Sequence, residues 1–99
     1  MTERIQPLMY ELETLERSLS DPAILADGTE YRRVLKRYGE VKGIVDAASD
    51  VARLEGQLAG LSELLTDPEL RSEAEDEAER LEQSVAKRRA ELAELLTPR

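Results

Sequence analysis

Apolar residues recur every three or four positions along most of this 99-residue chain, and two short Asp-Pro segments interrupt the pattern. This period places the apolar side chains on one face of an α-helix. The interruptions are Ser20-Asp21-Pro22 and Thr66-Asp67-Pro68, and the residue before a proline is disfavoured in the helical conformation. We therefore predict helices over residues 5–19, 29–65 and 68–96, with a connector over 20–28 that contains one short turn.

Aspartates mark the predicted starts of two helices. Asp27 is placed as an N-cap, and Glu30 lies three residues later, which is the spacing of an acidic variant of the capping box. Asp67 is placed as the N-cap of the last helix, because Pro68 suits the first helical position. Near the start of the chain, Pro7 is expected in the first turn of its helix for the same reason.

Two glycines fall inside the long middle segment. Gly39 and Gly43 each disfavour a helix by about 1 kcal/mol relative to Ala. Either one kinked helix covers residues 29–65, or two helices meet near Gly43, and we favour the kinked helix. A bend or a close approach of another helix is expected near Gly43.

The composition favours an all-α fold. Charged residues make up 36% of the chain, and its three tyrosines are its only aromatic residues, which is typical of long helices and coiled coils. The tight turn near Thr66-Asp67-Pro68 implies an antiparallel arrangement of the helices on either side. We predict a single helical domain of residues 1–99, an elongated antiparallel hairpin or coiled coil with a third, N-terminal helix packed on it. Tyr31 and Tyr38 belong to its buried stripe.

The residue types exclude most catalytic and metal-binding chemistry. The chain has no His and no Cys, so it lacks a histidine base, a thiol nucleophile and a Cys/His zinc site. Eight acids over residues 67–82 are interpreted as a solvated helix face rather than a metal site. We predict no enzyme activity, no cofactor, no metal and no small-molecule substrate.

The start of the chain carries acidic residues and no apolar signal core. No apolar run approaches the ~20 residues that cross a bilayer. We therefore expect a soluble, cytoplasmic protein without a membrane partner.

Basic residues are concentrated in one short segment of this acidic chain, whose formal net charge is −8. They either pair with the acidic face of the last helix or contact RNA phosphate or an acidic protein surface. A separate basic residue, Arg88, occupies a seam position and is expected to extend outward or to meet an acid of the facing helix. The residues of the basic cluster are Arg32, Arg33, Lys36, Arg37 and Lys42.

Residues 19–45 resemble the N-terminal domain of bacterial type 1 peptide chain release factors, which read the stop codons UAA and UAG. The resemblance continues at residues 64–77 and at the exit segment 95–98, and it covers essentially the whole chain. The matching positions in the first segment are Ser20-Asp21-Pro22, Asp27, Tyr31-Arg32, Tyr38 and Ile44-Val45.

The resemblance implies a ribosome-interaction and positioning domain in translation termination that is not catalytic by itself. The family's Gly-Gly-Gln loop, which promotes hydrolysis of peptidyl-tRNA, and its Pro-x-Thr loop, which helps read the codon, are not found in residues 1–99. The decoding and catalytic domains are therefore not represented here, and no catalytic residue is carried over. The implied partner is the ribosome, through ribosomal RNA and proteins near the stalk base, with the basic cluster as the contact candidate.

A second hypothesis is a free-standing acidic coiled-coil adaptor or a homodimeric structural protein. The apolar seam of residues 51–65 and the small expected core would both be completed by a second copy of the chain.

Overall fold

A computed structural model describes residues 2–98, with side chains from Arg4 to Pro98, and this part of the chain consists of helices and the turns between them, without strands. The prediction of an all-α fold is confirmed. Its α-helices are α1 (Thr2–Ser18), α2 (Pro22–Ala26), α3 (Gly28–Ala59) and α4 (Arg71–Leu96), and a 3₁₀ turn covers Leu64–Thr66.

The long middle segment is one continuous helix, so the two-helix alternative is wrong. It ends at Ala59 rather than at residue 65, because Gly60 disfavours further helix and the chain turns there. Space around Gly39 and Gly43 is open, since a Cβ built at either position meets no atom within 4 Å. Of the two alternatives expected near Gly43, a bend or a close approach of another helix, the close approach is therefore wrong.

Three aspartates accept backbone hydrogen bonds at or near the helix starts, but Asp67 lies in a turn before α4 rather than at the predicted N-cap position. Asp21 Oδ1 accepts from Ala23 N at 2.9 Å, and Asp27 Oδ1 accepts from Glu30 N at 3.2 Å. Asp67 Oδ1 accepts from the backbone N of Glu69 at 2.9 Å. This bond stabilises a turn that precedes α4, because the helix begins at Arg71 and not at residue 68.

Two other local predictions need correction. Pro7 lies inside α1, because that helix begins at Thr2 rather than at residue 5. The Glu30 side chain does not complete a capping box, since it accepts hydrogen bonds from Arg33 instead. The caps of α2 and α3 therefore depend on the aspartates alone.

The chain divides into two compact units, residues 1–46 and 47–99, and α3 contributes to both. In the first unit, Leu15 packs with Val34, and Glu11 bonds Arg37, so α1 runs antiparallel to the first part of α3. Tyr38 packs on this core as predicted. Ile24 of α2 also packs on it, whereas the neighbouring Leu25 is exposed. The buried residues of this cluster are Leu15, Val34 and Val41, with Leu8, Leu12, Leu19, Ile24, Tyr38 and Val45 packed against them.

In the second unit, the last part of α3 and α4 form an antiparallel hairpin. Asp50 bonds Arg88 near the far end of α4, whereas Leu61 lies beside Ala74 at the turn. Burial of this apolar seam removes leucine and valine side chains from water, which stabilises the pairing of the helices. The buried residues here are Ala47, Val51, Ala74, Leu81, Val85 and Leu92.

None of the helices described here is long and apolar enough to cross a membrane.

Candidate interaction surface on the third helix

The five residues of the predicted basic cluster lie on α3 within the first unit. Val34 and Val41 define the buried side of this helix, at 3% and 0% exposure. Lys36 lies about half a turn away from Val34, and Arg32 lies one turn before Lys36 on the same outward side. Both side chains are exposed. The helix therefore presents a small basic surface, made of Arg32 and Lys36, opposite its core contact.

Arg37 joins α3 to α1 through a bidentate ion pair with Glu11. Arg37 Nε lies 2.6 Å from Glu11 Oε2, and Nη2 lies 2.8 Å from Oε1. Arg37 Nη1 is also 3.5 Å from Glu40 Oε2. The hydrogen bonds from Arg37 lower the pKa of Glu11, and those bonds in turn raise the pKa of Arg37. Arg37 therefore acts as a structural link.

Arg33 and Lys42 pair within α3. Arg33 Nε donates to Glu30 Oε2 at 3.0 Å, and a second Arg33 nitrogen bonds the other carboxylate oxygen. These hydrogen bonds lower the pKa of Glu30. Lys42 Nζ lies 3.4 Å from Asp46. Such exposed pairs contribute little to stability, but they partly neutralise both cations.

Arg32 and Lys36 form no ion pair and no side-chain hydrogen bond within residues 4–98. The paired members of the cluster have partners on α1 and α3, and the expectation that the last helix supplies them is wrong. Three of these partners were visible in the sequence as an acid three or four residues from a base. Glu11 was not, because its pairing with Arg37 depends on the register between two helices.

Arg88 meets an acid of the facing helix, as predicted. Its Nε and Nη2 lie 3.0 and 2.9 Å from Asp50 Oδ2 on α3, and Nη1 lies 2.6 Å from Glu91. These hydrogen bonds raise the pKa of Arg88, and the bond that Arg88 donates to Glu91 contributes most. The Arg88 side chain is 30% exposed, so it covers the edge of the apolar seam between α3 and α4.

The acids of residues 67–82 lie along the exposed side of α4 and the turn before it. Arg71 Nε lies 3.2 Å from Glu75 Oε1, and Arg80 Nη2 lies 2.5 Å from Glu77 Oε2. Among the side chains of residues 4–98, no three acidic groups converge in a way that could hold a metal ion. The exposed charged side chains described above can bind partners of opposite charge.

Comparison with known proteins identifies the family. The family model described as the PCRF domain matches residues 8–99. The chain is 40% identical over 100 residues to peptide chain release factor 1 of Kocuria rhizophila, covering all of this chain and 26% of the relative. It is 37% identical over 98 residues to the factor of the same name from Deinococcus deserti, covering 99% of this chain and 27% of the relative.

A third relative is peptide chain release factor 1 of Geotalea uraniireducens, 33% identical over 99 residues, which are all of this chain and 28% of the relative. The chain thus spans about a quarter of the length of these curated relatives. No solved structure matches it. The resemblance found in the sequence is confirmed, and since the family model matches all but the first seven residues, the chain belongs to the PCRF domain family.

Proposed function

We propose that this chain acts in translation termination, as the ribosome-interaction and positioning domain of a stop-codon-reading peptide chain release factor. The match of the PCRF domain family to residues 8–99 carries the proposal. The relatives named peptide chain release factor 1 align with the whole chain but over only about a quarter of their own length. The role is therefore assigned to a part of a factor that binds and positions, and the chain itself is not catalytic.

Within this role, Arg32 and Lys36 are the ribosome contacts that the structure favours among the five basic residues. Both are exposed and have no side-chain partner within residues 4–98. A phosphate or an acidic side chain can approach them without breaking an existing ion pair. Arg37, in contrast, would have to leave its bidentate ion pair with Glu11, a partly exposed pair worth up to about 1 kcal/mol.

The proposed setting is a cytoplasmic factor in which residues 1–99 form one domain. Ribosomal RNA and ribosomal proteins near the stalk base are the proposed partners. Because contacts to phosphate weaken with added salt, association through Arg32 and Lys36 should fall as ionic strength rises.

A chimeric release factor tests the proposed function. In the factor from Kocuria rhizophila, the segment that aligns with this chain is replaced by residues 1–99, or is deleted as the comparison. Peptide release is then measured on ribosomes programmed with a stop codon. We expect the chimera to release peptide at a rate near that of the parent, and the deletion to be defective. Equal activity of the chimera and the deletion would contradict the proposal, as would release by residues 1–99 alone.

Charge reversal tests the contact residues in the same chimera. Arg32→Glu with Lys36→Glu should weaken ribosome association several-fold at low salt, with a smaller effect at high salt. The matched control is Arg17→Glu with Lys87→Glu, which changes the net charge equally at two other exposed positions. Equal effects of the two double variants would assign the result to net charge and remove Arg32 and Lys36 from the interface.

A further inference from the structure

A second surface lies at the turn end of the hairpin formed by α3 and α4. Here a shallow groove of about 300 Å³ opens between the 3₁₀ turn and the first turns of α4. Leu61, Leu64 and Leu70 line it, and Ala74 is its buried apolar base. The groove exists because the side chain of Ala74 is short and the chain leaves the helical path at Gly60.

The leucines of this groove are incompletely covered. Leu64 is 39% exposed and Leu70 is 41% exposed, whereas Ala74 below them is only 4% exposed. Complete burial of a leucine side chain is worth about 1.5–3 kcal/mol. Covering the two leucines would recover part of that free energy for each, so the groove favours an apolar partner side chain.

Negative charge surrounds the groove. Residues 61–82 contain nine acids and two arginines, a net charge of −7 in a chain whose total is −8. Glu73, Glu77 and Arg80 line the groove itself. Glu77 pairs with Arg80, but Glu73 forms no ion pair within residues 4–98. The field at this end of the hairpin is therefore strongly negative.

We propose that this groove binds a cationic amphipathic helix of a partner protein, with leucine-like side chains in the groove and Lys or Arg over the acidic rim. An apolar groove with charged edges is suited to a helix that presents apolar side chains at three- and four-residue spacing. The acidic rim repels nucleic-acid phosphate and anionic lipid in the same way.

A second copy of this chain is a poorer occupant, because it would bring another acidic surface to the groove. Three residues of its basic cluster are already paired, namely Arg33, Arg37 and Lys42. The inference extends beyond the proposed ribosome contact at Arg32 and Lys36, and either one can fail without the other.

The test uses the 99-residue chain and a synthetic peptide of about 18 residues, long enough to form a helix, with Leu on one face and Lys on the other. Affinity is measured by fluorescence anisotropy, and the site is mapped by amide chemical shifts. We expect saturable binding at about 0.15 M salt, with shifts concentrated in residues 61–80. Leu64→Ser with Leu70→Ser should weaken binding about 10-fold, which corresponds to about 1.4 kcal/mol.

A charge variant provides a second, independent readout. Glu73→Gln with Glu77→Gln should weaken the peptide several-fold and reduce the dependence of its affinity on salt. Both side chains lie at the surface of α4, so this variant remains informative even if the leucine variant fails to fold. Unchanged affinity for the charge variant would overturn the proposal.

Matched controls distinguish binding at this groove from nonspecific hydrophobic binding. Leu25→Ser with Leu35→Ser removes two leucines of similar exposure, 54% and 44%, in the other unit, and should leave the affinity unchanged. A peptide with Ala in place of Leu should bind at least 10-fold more weakly. Equal loss with the Leu25 and Leu35 variant, or equal binding of the alanine peptide, would overturn the proposal.

Sedimentation velocity tests the alternative occupant. The proposal predicts a monomer at micromolar concentration in the absence of peptide. A dimer that dissociates when Leu64 and Leu70 are replaced by Ser would show that a second copy occupies the groove, and would overturn the proposal.

Discussion

At the scale of single residues, the five cations of α3 differ in what they are available to do. Arg37 is held by two hydrogen bonds to Glu11, whereas Arg32 and Lys36 have no side-chain partner within residues 4–98. The sequence places all five within eleven positions and does not distinguish them. The distinction comes from which acids the neighbouring turns and α1 bring within reach.

A double-mutant cycle measures the Arg37–Glu11 link. We expect a coupling free energy of about 0.5–1 kcal/mol between Arg37→Ala and Glu11→Ala, since the pair is bidentate but partly exposed to solvent. The measurement is urea unfolding of the two single variants, the double variant and the parent chain. The control is the exposed Arg71–Glu75 pair, with one contact at 3.2 Å, for which we expect no more than about 0.5 kcal/mol. A coupling near zero for Arg37 and Glu11 would contradict the structural role.

The same pair predicts a pH dependence of stability. The pKa of Glu11 in the folded chain lies below its ordinary value of 4.5, so near that pH the unfolded chain binds more protons than the folded one. Stability from this group is therefore complete above about pH 4.5 and is lost as pH falls through the lower, folded pKa. Urea unfolding between pH 3 and 6 should show a free energy of unfolding that depends less steeply on pH for Arg37→Ala than for the parent chain. An identical pH dependence of the free energy of unfolding in the two chains would show that Arg37 does not lower the pKa of Glu11.

At the scale of elements, α3 is continuous through two glycines that its sequence would not favour. Gly39 and Gly43 lie in its interior, and packing of both ends of the helix into apolar cores offsets their poor helix propensity. Neither glycine has a positive φ. No atom lies within 4 Å of a Cβ at either position, so neither glycine is required by the backbone or by close packing.

Gly39→Ala should therefore stabilise the chain. We expect a gain of about 0.5–1 kcal/mol in the free energy of unfolding, because alanine restricts the unfolded chain and suits the helix. The comparison is Gly60→Ala, where the new Cβ would lie 3.4 Å from the Gln57 carbonyl oxygen at the helix end, and a smaller gain is expected. Thermal unfolding followed by circular dichroism measures both. Destabilisation by Gly39→Ala would show that the glycine has a structural requirement in solution.

The buried face of α4 differs sharply from its exposed face. Leu92 is completely buried, whereas Leu95 is 47% exposed. Leu92→Ala should cost about 2–5 kcal/mol through lost burial and the cavity left behind, while Leu95→Ala should cost less than about 1 kcal/mol. Chemical denaturation of the two variants checks this contrast. Similar costs would contradict the assignment of Leu92 to the buried face of α4 and of Leu95 to its exposed face.

At the scale of the whole molecule, the shared helix couples the two compact units. The chain divides into residues 1–46 and 47–99, and α3 contributes buried side chains to both units. Unfolding either end of α3 exposes apolar surface and removes support from the rest of the helix. We therefore expect one cooperative transition rather than two.

Calorimetry with one core variant in each unit tests this coupling. Val41→Ala in the first unit and Leu92→Ala in the second should each lower the temperature of the same single transition, with equal calorimetric and van't Hoff enthalpies. Two transitions, each displaced by only one of the variants, would show that the units unfold independently. That result would also contradict the proposal that residues 1–99 form one domain.

The sequence by itself determined the fold class, the approximate helices and the family of this protein. The fold class and the helices follow from local chemistry: the apolar period of the helices, the aspartate caps and the prolines that end regular structure. The family follows from the resemblance of residues 19–45 and 64–77 to known release factors. The places where the prediction was wrong are the start of α1, the end of α3 and the start of α4, whereas the favoured continuity of α3 is confirmed. At Gly43, Gly60 and Pro68, single-residue preferences compete with packing, and packing depends on residues that are distant in the sequence.

Only the tertiary structure decided which surface residues are available for binding. Glu11 lies 26 residues from Arg37, and Asp50 lies 38 residues from Arg88, so both pairings depend on the register between helices. The groove at Leu61, Leu64 and Leu70 likewise exists only once the hairpin has turned. Helix periodicity specifies which face is buried, but the relative register of two packed helices specifies which charges meet and which remain free.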